Sequence, residues 1–233
     1  MEKQQLTAEQ KRLDTDLWII AAVTFAVFLS YAVMGKQLMS FIADKSISVI
    51  PRLLLNAAVQ FGVAGLGVTI VCVIRKEKFT QFGLAGKNIV KAIIYTALCF
   101  APSICFTFVS GRFKGYQPFN ILITDEVLSS GLPISILGMA IIVIVWGFFE
   151  GFNYAVICEK INKRYPSANR WLDYGAISCA IICLLFHPLS MTLWGLIEMI
   201  TTFVAIYGML IVKKQTGNAW GCVFAFCFIW NAM

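Results

Sequence analysis

Uncharged apolar runs long enough to cross a bilayer recur along the whole chain, and this recurrence decides the fold class. The first such run is about Leu17 to Met34, and the stretch from Leu132 to Phe149 carries no charge at all. A helix crosses the hydrocarbon core with about 20 apolar residues, because its backbone hydrogen bonds are satisfied within the segment. Hydrophobic residues make up 59% of the chain and charged residues 13%, whereas a water-soluble domain carries roughly a quarter charged residues. A soluble domain is therefore excluded. A transmembrane barrel would need short alternating segments, which the sequence lacks. The expected fold is all-α, a polytopic helical membrane protein with about seven transmembrane helices.

In chain order, residues 1–16 form a polar, partly basic head on the cytoplasmic side, with no cleavable signal peptide. Residues 17–129 hold the N-terminal membrane helices. The second span runs about Leu53 to Ile74, where Gly62, Gly65 and Gly67 permit close packing. The segment from Phe79 to Lys91 reads as an interfacial connection. The third span runs about Ala92 to Val109, with Pro102 expected to kink it. Gly111 to Gly131 is the longest non-membrane stretch. Residues 130–233 hold four further helices, about Leu132 to Lys163, Trp171 to His187, Thr192 to Val212 and Asn218 to Met233.

The net charge of +7 does not point to nucleic acid, because the basic residues sit at the ends of apolar runs. The positive-inside rule and anionic lipid headgroups account for them there. With the N-terminus in the cytoplasm, fourteen of the 19 basic residues fall on the inside segments and five outside. All eight cysteines lie in or beside apolar runs and none forms a CxxC pair, so they read as small buried hydrophobes.

Polar residues inside such runs are costly and need a reason. Three matter here: Glu150, His187 and Asn231. Asn153 and Tyr154 follow Glu150 by three and four residues and share its helical face, as do Gly147 and Trp146 before it. Cys227 precedes Asn231 by four. Counted from the turn near Ser167, Glu150 and His187 lie within roughly 5 Å of equal depth. Asn231, counted from Gly217, lies well into its own span from the same side.

These features resemble the CAAX protease and bacteriocin-processing (CPBP, or Abi) family of intramembrane proteases, over roughly residues 130 to 233. The family's first motif is Glu-Glu-x-x-x-Arg. This chain reads Phe149-Glu150-Gly-Phe-Asn153-Tyr154, with one glutamate and with tyrosine in the arginine's place. Phe186-His187 matches the second motif. Cys227-Phe-Ile-Trp-Asn231 matches the third, with cysteine for histidine. The resemblance implies a CAAX-protease-like core in a bacterial cell membrane. It implies Glu150 as general base, His187 as its partner and Asn231 as oxyanion donor, supported by Asn153, Tyr154 and Cys227.

Two functions follow as expectations. One is a glutamate-dependent intramembrane endopeptidase, weakened or inactive, acting on a membrane-associated peptide or protein. The alternative is a non-catalytic scaffold, for instance a bacteriocin self-immunity or regulatory protein, which the missing motif residues favour. No cofactor is expected. A zinc site from Glu150, His187 and Cys227 ranks below both, because no HExxH or comparable close pair accompanies it.

Overall fold

The computed structural model describes residues 5–169, 171–186 and 190–233, and no strand occurs among them. The long helices are α1 (Ala8–Ala43), α2 (Val49–Arg75), α3 (Ile89–Val109), α5 (Ile134–Arg164) and α7 (Leu193–Thr216). Between them stand the short α4 (Thr124–Ser129), α6 (Tyr174–Leu185) and α8 (Trp220–Trp230). The start of α1 is set by a capping box, in which Thr7 and Gln10 satisfy each other's backbone N–H groups.

The five long helices are long and apolar enough to cross a membrane, fewer than the seven spans expected. The difference lies in α6 and α8. At 12 residues, α6 rises only roughly 18 Å, against a hydrocarbon core of about 30 Å. The Asp173 carboxylate accepts the Ala176 N–H and so starts α6 there, leaving Trp171 and Leu172 outside the helix. At the end of α8, the carbonyls of Asn231 and Ala232 accept the N–H groups of Asn120 and Gln117. The loop before α4 thus comes to meet α8, which does not extend to it. Pro102 is carried within the continuous helix α3.

Polar contacts sort the molecule into two ends. At the basic end, Asp16 is fully buried and accepts from Arg75 (2.7 Å) and Lys160 (3.0 Å), and Lys160 also pairs with Glu77 (2.7 Å). Arg164 pairs with Asp14 at 2.6 Å. Asn218, also buried, donates to the carbonyls of Ala85 and Lys87 and ties the Phe79–Lys91 connection to the turn before α8. At the far end, buried Arg52 binds Glu126 through both terminal nitrogens and donates its Nε–H to the Ile42 carbonyl. That guanidinium holds Glu126 below the usual glutamate range. Glu198 meets Arg112 at 2.5 Å on the same end.

The core is closed by small residues at helix crossings. A Cβ on Gly67 would come within 3.0 Å of the Ile20 backbone, and one on Gly62 within 2.9 Å of Val27. Both contacts seat α1 on α2, as the glycines in that run imply. Gly175 brings α6 onto α5 and Gly151 brings α8 onto α5.

One pH dependence arises at the basic end. Burial pushes the Asp173 carboxyl up, but Lys214, the Ala176 N–H and Asn162 together outweigh it, so the group sits below the usual aspartate value of 3.8. A carboxyl lowered in the folded state adds stability above its unfolded value, and that stability is lost as pH falls through the folded value. Asp173→Asn is therefore expected to be less stable than the parent at neutral pH. The gap should close below about pH 4. Thermal unfolding in detergent across pH 3 to 7 measures it, and a gap that is constant with pH would contradict this account.

Candidate functional site

Wide, π-helical turns interrupt α2 at Gly62–Leu66 and α5 at Val143–Phe149, and another closes α8 at Phe226–Trp230. Such a turn inserts one extra residue and shifts the helical register, and it occurs often at functional sites. Glu150 is the first residue after the turn in α5. Gln60 stands two residues before the turn in α2. The aromatic rings of Phe61 and Phe149 meet edge to face with centroids 4.8 Å apart, so the two interruptions face each other.

That juxtaposition gives Glu150 its partner. The Gln60 side-chain amide donates to Glu150 Oε2 at 2.9 Å. Both residues line a cavity of about 1630 Å³ bounded by α1, α2, α5 and α6. Asn153 and Tyr154 line it too, because α5 is regular beyond Glu150 and the spacings of three and four hold there. Trp146 and Gly147 do not share the face expected of them. They lie within the π-helical turn, where one added residue turns the preceding side chains away by about 100°. Gly147 instead backs onto Cys227, whose Sγ lies 2.5 Å from where a Cβ would stand.

The rest of the cavity wall is largely apolar. Trp18, Phe25 and Phe28 come from α1, and Ile182, Leu185 and Phe186 from α6 and its end. Phe28 and Phe186 touch edge to face at 5.7 Å. Arg164, Tyr165 and Pro166 line the cavity toward the basic end. Tyr154 stacks on Phe226 at 5.4 Å, and its hydroxyl is hydrogen-bonded to Cys183.

Neither Asn231 nor Cys227 lines the cavity. Gly151 packs on Cys222 and Val223, and Gly147 on Cys227, which fixes the antiparallel register of α5 against α8. Asn231 follows the π-helical end of α8, and its carbonyl accepts the Asn120 N–H at 2.6 Å. His187 lies outside the described residues. Among those described, no three His, Cys, Asp or Glu side chains group to hold a metal ion.

Gln60 had no signal in the sequence beyond being a polar residue within an apolar run. No protein-family model, curated protein or solved structure matches this chain.

Proposed function

We propose that this is a multi-pass membrane protein of the CPBP intramembrane-protease type, whose cavity between α1 and α6 receives a membrane-embedded peptide segment at Glu150. The observation that carries this reading is the cavity itself. It brings one carboxylate, the polar side chains of Gln60, Asn153 and Tyr154 and an apolar wall into one space at mid-span. An intramembrane carboxylate that faces a cavity marks a ligand or reaction path more often than a structural contact. In this reading the basic end faces the cytoplasm, as the positive-inside rule would have it, and the membrane is a bacterial cell membrane.

In the hydrolytic form of this proposal, Glu150 removes a proton from a water molecule whose oxygen attacks the peptide carbonyl, and the proton passes to the leaving nitrogen. Gln60 fixes the orientation of the carboxylate. The Asn153 side-chain amide, one turn on and lining the same cavity, is better placed than Asn231 to donate to the developing oxyanion. His187 retains the partner role that the family resemblance implies.

A non-catalytic scaffold is the second reading. It is favoured by the Gln60 bond, which already occupies one carboxylate oxygen, and by the absence of Asn231 from the residues lining the cavity. The two readings divide on Glu150→Gln, which keeps shape and a hydrogen bond to Gln60. Purified protein in lipid vesicles is presented with membrane-spanning peptides, and products are read by mass spectrometry. Loss of cleavage by about 10²-fold or more in the variant, with unchanged thermal stability, is expected of the hydrolase. Cleavage that survives the substitution removes Glu150 as the base. Peptide retention without cleavage in either protein selects the scaffold.

A further inference from the structure

A second, smaller cavity lies at the basic end, about 370 Å³ in volume, between the ends of α5 and α7 and the connection through Gln81. Lys163, Lys213 and Lys214 line it, with Glu159 as its one acidic lining residue. Glu159 accepts from both Lys163 and the buried Lys213. The Lys214 ammonium reaches Asp173 at 2.8 Å, and that carboxylate is itself fully buried behind the cavity wall. Three ammonium groups therefore meet two carboxylates, and the excess charge is positive.

The excess is also accessible. The side chains of Lys163 and Lys214 are 54% and 42% exposed. An ammonium has three N–H donors, and each of these two has a single carboxylate partner among the described residues. Donors are thus left over on both rims of a concavity too small for a nucleic acid or a folded protein. Gln81 adds a side-chain amide to the wall. The cavity sits where α5 and α7 leave their apolar runs, where basic residues at helix ends meet lipid headgroups.

We infer that this cavity binds a phosphate group, through Lys163 and Lys214 with Lys213 and Gln81 behind them. Lysine binds phosphate as a point charge, and a basic cavity at a helix end near the membrane surface suits an anionic headgroup. The phosphate belongs either to an anionic phospholipid or to a soluble phosphate compound. The inference does not depend on Glu150 or on hydrolysis.

The test uses the full chain in detergent. Retention of phosphatidylglycerol and of phosphatidylcholine is compared by native mass spectrometry. Thermal unfolding is followed with inorganic phosphate against chloride at equal ionic strength. The Lys163→Ala variant keeps Glu159 paired through Lys213 and leaves Asp173 with Lys214, so its fold is expected to persist. Retention of phosphatidylglycerol should fall about fivefold in Lys163→Ala and further in Lys163→Glu. It should not fall in Lys91→Ala, which removes a charge from α3 outside the cavity. Preferential phosphatidylglycerol retention with this pattern identifies a lipid headgroup. Stabilisation by inorganic phosphate that Lys163→Ala abolishes, without lipid preference, identifies a soluble phosphate compound. Equal losses in the Lys163 and Lys91 variants, or no response to either probe, overturn the site.

Discussion

Lys160→Ala is expected to lower the stability of the protein by about 3 kcal/mol. Lys160 and Asp16 are both buried, and the ammonium joins Asp16 of α1 to Glu77 just past the end of α2. Removing it leaves two carboxylates short of a partner, one of them without access to water. Breaking a buried pair in this way costs about 3–5 kcal/mol. The lower figure applies here because Arg75 still holds one Asp16 oxygen. Methionine at 160 refills the volume and leaves the charge problem, so Lys160→Met should be nearly as damaging. The double variant Asp16→Leu/Lys160→Met should recover part of the loss, since it leaves no fully buried unpaired carboxylate, and Arg75 and Glu77 keep access to solvent. Thermal unfolding in detergent, read by a thiol-reactive dye, suits a chain whose cysteines are free and mostly buried. Additive losses in the double variant would show that the two charges are not coupled.

Gly175→Ala should destabilise the protein by up to about 3 kcal/mol, although glycine to alanine in a helix normally stabilises by about 1 kcal/mol. The reversal has a steric cause. A Cβ at 175 would stand 2.2 Å from the Cys158 carbonyl oxygen and 2.9 Å from its Cα. Those atoms are backbone of α5, so relief requires α6 to move off α5. Tyr154 and Ser178 would then no longer face the same cavity across this crossing. Gly86→Ala serves as the control, because nothing lies within 4 Å of its added methyl group. An unchanged unfolding temperature in Gly175→Ala would mean that α6 is not held as close to α5 as described.

The sequence makes the membrane helices legible and their interruptions much less so. Apolar runs place α1, α2, α3, α5 and α7 because lipid tolerates little else over that length. The glycines of α2 point to a close crossing, and α1 fills it. The π-helical turns carry no residue signature, since they arise from side chains packing between helices. Without them the pairing of Gln60 with Glu150 is not foreseeable. Asn153 and Tyr154 were legible because α5 is regular after Glu150. How α8 slides against α5 is not legible in the same way, and the contacts of Gly147 and Gly151 report it. The ion pairs at the basic end join residues as distant in the chain as Asp16 and Lys160. Positive charge at helix ends is predictable from composition, but its partners are not.

Between Ile20 and Ile42 no residue of α1 is buried, and Leu29 and Val33 face outward. This stretch includes part of the wall of the larger cavity. A transmembrane helix answers a bilayer thicker or thinner than its apolar length by changing its tilt. For α1, fastened at the basic end through Asp14 and Asp16 and at the far end through Ile42, a change in tilt is a change in the width of the cleft against α6. Hydrophobic mismatch thus enters the site as a thermodynamic variable, through which the thickness of the host membrane acts on the width of the cleft.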